Sequence, residues 1–570
     1  MGLRLLLGRA GTGKTRRCLE EIAAELQREP LGPPLILISP AQATFNMERE
    51  LAALGGSLRA QVYSFRRLAY RVLREAGGAA RRPVSELGRR MMLKKILLEE
   101  RERLHLMGSL HNRPGFLAAL SELIGELKMC RITPEDLREL AGREVAGDGP
   151  GGEEKEGEGE GGLLGRKLDD LYLVYRRLAE KLADGLSDPD DYLDLLAQRI
   201  PGAAFLEGCR VWVDGFASFT PQEGAVLAAL FARAREVTVT LTLDPALAAV
   251  RPADHDPFVK PWETRARLRR LAGEAGAAVR EEFLAPDERW RLAAAPELAH
   301  LERRFFRYPT VAYAGPVQKV RLLTGVNRRA EVEGVVRAIR RLLREEGLRP
   351  RQIMVAVRDV DAYFPLFRQV LADYGIPCFI DHQQPAMHHP LVELLRSALE
   401  VWEKNWAYDP VFRFLKTGLV QVSAEEVDRL ENYVLAAGIR GSRWYGEQPW
   451  SYLPGRTWRE QEDEERQTFP PRELEEINEI RRKAVKELRL AQEKVRAAAA
   501  GRPARLSARR WAAVLLELCL DLAVPEKLDR WSRAAQDAGR PELAREHRQV
   551  WRLVSGLLDE LVAALGEAEL

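Results

Sequence analysis

The sequence predicts an α/β fold, in which parallel-sheet domains are interrupted by large α-helical insertions. Three observations carry this. Short apolar runs alternate with amphipathic stretches over residues 3–75. A glycine-rich loop, GRAGTGKT at 8–15, joins the first apolar run to the first helix. The same alternation returns at 209–244, after a long stretch that is helical in pattern. Strand, loop and helix in repetition are what a parallel sheet with crossover helices requires.

Taken in order, LRLLL at 3–7 is a short strand without polar interruption, as a strand buried on both faces should be. A helix follows from Lys14 to about Gln27, apolar at Cys18, Ile22 and Leu26. LILIS at 35–39 is a second strand, entered through Pro33 and Pro34, and a helix covers about 45–55. AQVYS at 60–64 is a third strand leading into a helix through Leu68 and Val72. Residues 85–141 are helical in pattern. The segment 143–166, almost entirely Gly and Glu, is expected to be a solvated loop, since it has too little apolar surface to bury. Helices resume at about 165–200, then CRVWVDG at 209–215 forms a strand ending in Asp214. Thr220, Pro221 and Glu223 open the next helix as N-cap, first and third positions. EVTVTLTLD at 236–244 is another strand, with helices at about 262–308 after it. A second α/β stretch is expected from strands at 320–325, 352–358 and 376–381 and helices at 328–346 and 360–374. From about 390 onward the pattern is helical.

The bulk properties narrow the classes. At about 100–200 residues per domain, 570 residues correspond to roughly three to five domains. The net charge of +3 neither requires nor excludes a nucleic-acid partner, because a basic channel can coexist with acidic faces. Five scattered cysteines argue against a disulfide framework or a zinc ribbon. No signal peptide and no run of eighteen apolar residues is present, so a reducing cytoplasm is the expected location. The second α/β stretch has too few strands for a full sheet, so the chain is expected to be the N-terminal portion of something longer.

The loop GRAGTGKT matches G-x-x-x-x-G-K-[ST] at Gly8, Gly13, Lys14 and Thr15, with Arg9, Ala10, Gly11 and Thr12 between the glycines. Its glycines let backbone N–H groups turn toward a phosphate, and the following helix start adds positive potential. Lys14 is expected to reach the β/γ-phosphates of ATP and Thr15 to hold Mg²⁺. The alternative is a glycine-rich turn that merely joins strand to helix. Asp214 is the candidate carboxylate for the magnesium shell, and the metal ligands expected are Thr15 and Asp214. The next position, where a hydrolytic site carries the residue that orients water, is Gly215. Lys14 and Asp214 stand far apart in the chain, which suits an ATPase core with a large insertion better than a compact kinase.

On GRAGTGKT, ISPAQATFNMERELA, RAQVYSFRRLAYRVLRE, VDGFASFTPQE, PELAHLE, NRRAEVEGVVRAIRRLLREEG, IPCFIDHQQPAMHHPLVE and ENYVLAAGIRG, the chain resembles the N-terminal part of the AddB (RexB-like) family. Its members are one of the two components of the bacterial AddAB helicase–nucleases. The resemblance implies a superfamily 1 helicase-like, RecA-like fold whose motor has decayed. Residues 1–80 with 200–310 would form domain 1A, and 81–199 a helical insertion 1B. Residues 311–395 would begin domain 2A, and 396–570 would be a helical 2B-like domain. It implies a heterodimer with the AddA helicase–nuclease, acting on single-stranded and duplex DNA in double-strand-break repair. It also implies that the decayed motor scans the emerging strand for a Chi hotspot. A 5′→3′ nuclease and a 4Fe–4S cluster are expected only in the missing C-terminal part. Three motor features are missing here: the carboxylate at Gly215, a glutamine motif ahead of Gly8, and a sensor glutamine after Asp244. ATP binding with little or no hydrolysis is therefore expected, the alternative being an active DNA-dependent ATPase or helicase.

The candidate DNA contacts lie at strand-to-helix junctions, the edge where open α/β sheets bind ligands. Gln42 and Thr44 offer hydrogen bonds, Arg67 a phosphate contact, and Phe65, Tyr70 and Phe216 aromatic faces for stacking. The plainer reading of Phe65, Leu68 and Val72 is helix core, with the arginines at 66, 67 and 71 as a solvated face. The acids of SDPDDYLD at 187–194 are read as a helix start rather than a metal site. His382, His388 and His389 are read as part of a turn.

Overall fold

The computed structural model describes residues 2–53, 59–77, 82–145, 161–183, 185–286, 290–380, 382, 386–451, 471–498 and 505–566. The chain divides into two compact units, Met1–Thr324 and Gly325–Leu570.

The first unit is built on a six-stranded, wholly parallel sheet of β1 (Gly2–Gly8), β2 (Leu35–Ile38), β3 (Ala60–Tyr63), β6 (Arg210–Val213), β7 (Glu236–Thr242) and β8 (Ala278–Phe283). The order is β3-β2-β6-β7-β1-β8. A two-stranded ladder, β4 (Arg82–Pro83) and β5 (Leu186–Ser187), lies outside it. Side chains alternate across the sheet, as the period of two demands. Leu3, Leu5 and Leu7 of β1 join one core with Ile36, Ile38, Val211, Val213, Val237 and Val239. Leu6 points the other way, into a core with Leu35, Leu37 and Trp212.

The helices cover both faces. On the Leu6 side lie α1 (Lys14–Arg28), through Cys18, Leu19 and Ile22, and α2 (Thr44–Ala53), through Leu51. On the other side lie α3 (Phe65–Ala76), α8 (Tyr192–Arg199), α9 (Pro221–Arg233) and α10 (Val259–Glu274). The predicted start of α9 is realised as a capping box. Thr220 Oγ1 accepts from the Glu223 N–H, and the Glu223 carboxylate accepts from the Thr220 N–H. After β8 comes α11 (Pro296–Arg304).

The helical insertion follows β4 and consists of α4 (Glu86–Glu99), α5 (Pro114–Met129), α6 (Pro134–Val145) and α7 (Gly161–Ala183). The last two reach into both ends of the Gly/Glu segment predicted at 143–166; residues 146–160 lie outside the described residues. The acids at its exit are structural. Asp188, nearly fully buried, accepts from Lys128 Nζ at 3.0 Å and from Arg89 at 3.3 Å. Gln222 Nε2 donates to Asp194 Oδ2 and to the Asp190 carbonyl, each at 2.8 Å, fixing α9 to the insertion.

The second unit contains α12 (Arg328–Glu345) and α13 (Val360–Asp373), packed through Val332, Val336, Phe367, Val370 and Leu371. It continues as α14 (Pro390–Glu403), α15 (Tyr408–Leu415), α16 (Ala424–Ala437), α17 (Pro471–Ala498), α18 (Ala508–Asp521), α19 (Val524–Asp537) and α20 (Pro541–Leu565). Their shared core includes the buried indoles of Trp406 and Trp444. The strands predicted at 320–325, 352–358 and 376–381 are corrected here: their described residues carry no strand pairing. Leu322, Val326 and Met354 are almost fully exposed. An apolar run becomes a strand only where a neighbour accepts its backbone ladder, and among the described residues these segments have none. Conversely β8, AVREEF, lies where only helices were expected; it is an edge strand, and its polar residues weaken the apolar signal.

His389 belongs to a helix start, capping α14 by accepting from the Leu391 N–H. The five cysteines are free thiols. Among the described residues no group of His, Cys, Asp and Glu is arranged to hold a metal by itself, and no helix is long and apolar enough to cross a membrane.

Candidate functional site

All strands of the main sheet run parallel, so the loops leaving β1, β2, β3 and β6 emerge on one edge. That edge holds GRAGTGKT after β1, Gln42 and Thr44 after β2, Phe65 after β3, and Asp214 with Phe216 after β6.

The loop from Gly8 to Thr15 ends in Gly13, the N-cap of α1, in left-handed backbone at φ 88°. A side chain there would meet nothing within 4 Å, so the space over the helix start is open. No side chain caps α1, which leaves its first N–H groups for another acceptor. Lys14 Nζ folds back and donates to the carbonyls of Gly8 (2.8 Å) and Arg9 (2.9 Å). Burial is the main cause that lowers its pKa, to about 8; Asp214 and Glu302 pull the other way, and Arg291 adds to the lowering. Thr12 Oγ1 donates to the Arg9 carbonyl at 2.9 Å.

β6 is separated from β1 by β7, yet its end reaches the loop. Asp214 is buried; its Oδ2 accepts from Thr15 Oγ1 at 2.7 Å and its Oδ1 from Thr240 Oγ1 at 2.5 Å. The predicted partners Thr15 and Asp214 are therefore in direct contact. An open helix start, a lysine and a hydroxyl–carboxylate pair together fit a magnesium-bound phosphate chain. Beside Asp214, Gly215 has φ 89°, and a Cβ there would lie 3.2 Å from Pro40 Cδ. The position next to the acid is thus shaped for glycine.

Sequence reasoning missed what surrounds Arg9. Its Nη1 donates to Asp244 Oδ2 at 2.5 Å, and its Nε to both Glu302 carboxylate oxygens at 3.0 and 2.9 Å. The Ala10 N–H donates to Glu302 Oε1 at 3.3 Å, and Phe258 lies under the guanidinium at 5.0 Å. Asp244 also accepts from Arg307 at 3.2 Å, so the acid after β7 is held by arginines.

The candidate DNA contacts separate into exposed and buried groups. Gln42 is exposed, whereas Thr44 is buried and donates to the Ala41 carbonyl at 2.8 Å. Arg67 is exposed and pairs with Glu48 at 2.7 Å. Tyr70 is half exposed, edge-on to Tyr192. Phe65 is core: it is buried, 5.5 Å from Phe216 and 6.2 Å from Phe219 by ring centroids. Phe216 is the partly exposed ring of that cluster.

Residues 5–302 match the family described as ADDB, N-terminal. Along the full chain the sequence is 48% identical to the B-type component of the ATP-dependent helicase/deoxyribonuclease of Moorella thermoacetica, covering 48% of that protein. It is 46% identical to the protein of the same name from Heliobacterium modesticaldum and 47% identical to that from Desulforudis audaxviator. The chain spans about half the length of the curated relatives it matches.

Proposed function

The chain belongs to the AddB N-terminal family, and from that premise we propose that it is the non-motor, ATP-binding part of a helicase–nuclease subunit. Its first unit is a P-loop domain of the RecA-like, superfamily 1 type, with 1–80 and 200–310 as domain 1A and 81–199 as insertion 1B. Residues 311–395 and 396–570 are the counterparts of 2A and 2B. Gly8 to Thr15 bind the phosphates of ATP, and Thr15 with Asp214 hold Mg²⁺. The metal neutralises phosphate charge when bound; the chain's own part is to cradle and orient the phosphates.

The single observation that carries this reading is the contrast between Asp214, bonded to Thr15, and Gly215 beside it, in left-handed backbone against Pro40. A site so built binds a nucleotide but has no second carboxylate to orient water. Losing one such group commonly slows a reaction by about 10²-fold or more.

The rest of the carboxyl edge serves single-stranded DNA. Gln42, Arg67, Tyr70 and Phe216 are placed to read bases, hold phosphate and stack, which is the surface a Chi-scanning protein needs. The name of the relatives supports an AddA-type partner in a heterodimer acting in break repair. The nuclease and any 4Fe–4S cluster belong to the half of the relatives that this chain does not span. Equilibrium binding of Mg·ATP, beside phosphate release with and without single-stranded DNA, tests the reading.

A further inference from the structure

The phosphate loop has a second wall, formed by the segment that follows β8. Trp290 Nε1 donates to the Ala10 carbonyl at 2.9 Å, and the Arg291 N–H donates to the Gly11 carbonyl at 3.2 Å. A side chain at Gly11 would meet Trp290 Nε1 at 3.2 Å and Arg291 Cβ at 3.3 Å. Arg291 therefore springs from against the middle of the loop.

Two arginines border the loop, and they are in opposite situations. Arg9 is buried and neutralised by Asp244 and Glu302. Arg291 is exposed, and among the described residues no carboxylate pairs with it. Its charge acts on Lys14, whose buried amine it disfavours in the charged form. Two cations held near one another at a loop built for anions repel until an anion arrives between them. The main-chain bond to Gly11 fixes the root of Arg291 while its side chain is free to reach the ligand.

We infer that Arg291 is a second phosphate-binding cation of this site, acting on the triphosphate together with Lys14 although it lies far outside the loop motif. This rests on the phosphate-loop reading above. An arginine presents a planar fork of donors that suits phosphate oxygens, and a charge-assisted bond of this kind is stronger than a neutral one.

The test is titration of the full chain with Mg·ATP by calorimetry, comparing the parent with Arg291→Ala, Arg291→Lys and Lys14→Ala, with melting temperatures taken without nucleotide. Arg291→Ala is expected to weaken ATP about tenfold and to flatten the dependence of affinity on salt. Arg291→Lys is expected to restore most of the affinity. The melting temperature without nucleotide should hold, because the side chain is exposed and alanine keeps the bond to Gly11. An Arg291→Ala affinity and salt slope equal to the parent's, with Lys14→Ala still losing ATP, overturns the assignment and leaves the phosphate loop standing. A loss in Arg291→Ala that lysine does not recover, with a lower melting temperature, also overturns it, since the role is then structural. A parent that binds no ATP overturns both.

Discussion

Gly215 holds a left-handed φ of 89° with Pro40 3.2 Å from where its Cβ would be. The missing second carboxylate is therefore a feature of the backbone as well as of the side chain. An L-residue in left-handed backbone costs about 1–2 kcal/mol, before Pro40 has to give. Gly215→Glu is expected to lower stability by about 1–3 kcal/mol and to gain no ATP turnover. Chemical denaturation and phosphate release check both; a rise in turnover without loss of stability would contradict this account.

Asp214 accepts from two hydroxyls, Thr15 and Thr240, in a buried setting. Asp214→Ala strands Thr240, and removing one partner of a buried hydrogen bond costs about 1–3 kcal/mol. Asp214→Asn keeps the shape but loses the charge. It is expected to reduce the gain in ATP affinity that Mg²⁺ provides, while leaving affinity in excess chelator nearly unchanged. Titrations with and without Mg²⁺ measure this.

Lys14 is held to about 8 chiefly by burial, well below the 10.5 ordinary for lysine. Below about pH 8 the amine is charged and matches a phosphate; above it the empty site holds the neutral form. ATP affinity is therefore expected to fall as pH rises through about 8, with a proton taken up on binding in that range. Calorimetry in buffers of different ionisation enthalpy detects the uptake. For stability the sign is opposite: between about 8 and 10.5 the unfolded chain binds more protons, so this group's contribution to stability grows as pH rises.

A second titration lies between α14 and α20. His389 Nδ1 accepts from the Leu391 N–H, so its proton sits on Nε2, 3.1 Å from His547 Nδ1. Burial, then His547, lowers His389 to about 4. Burial lowers His547 as well, against the opposing pull of Glu546. Both folded values lie below the unfolded 6.5, so this contribution to stability is whole above about 6.5 and lost as pH falls toward 4. About 1–2 kcal/mol should be lost by pH 5 from His389. His389→Asn keeps a capping acceptor and should flatten the acid limb of the melting curve.

Phe65 and Tyr70 lie on the same helix but should separate cleanly. Phe65→Ala opens the cluster with Phe216 and Phe219 and is expected to cost about 3–5 kcal/mol of stability. Tyr70→Ala should leave stability within about 1 kcal/mol and weaken single-stranded DNA by about 1–3 kcal/mol, as a lost stacking face does. Melting curves beside fluorescence anisotropy resolve the two.

The parts legible in the sequence were those with local signatures. The phosphate loop, the capping box at Thr220 and the alternating apolar runs of the central sheet each carry their geometry within a few residues. The core role of Phe65 was visible as spacing with Leu68 and Val72, against the stacking role its loop position suggested. Two kinds of feature were not legible. The apolar runs at 320–325, 352–358 and 376–381 look like strands, but pairing depends on partners, which a local pattern does not encode. The second wall of the loop, from Trp290 to Glu302, has no periodic signal and meets Arg9, Ala10 and Gly11 only through the fold.

The most direct test of the central claim is ATP binding and turnover measured on one preparation, with and without single-stranded DNA, in the parent and in Lys14→Ala. Mg·ATP should bind the parent and not the variant, and phosphate release should stay at background in both, with or without DNA. Turnover at helicase rates in the parent, stimulated by DNA and abolished by Lys14→Ala, would contradict the account.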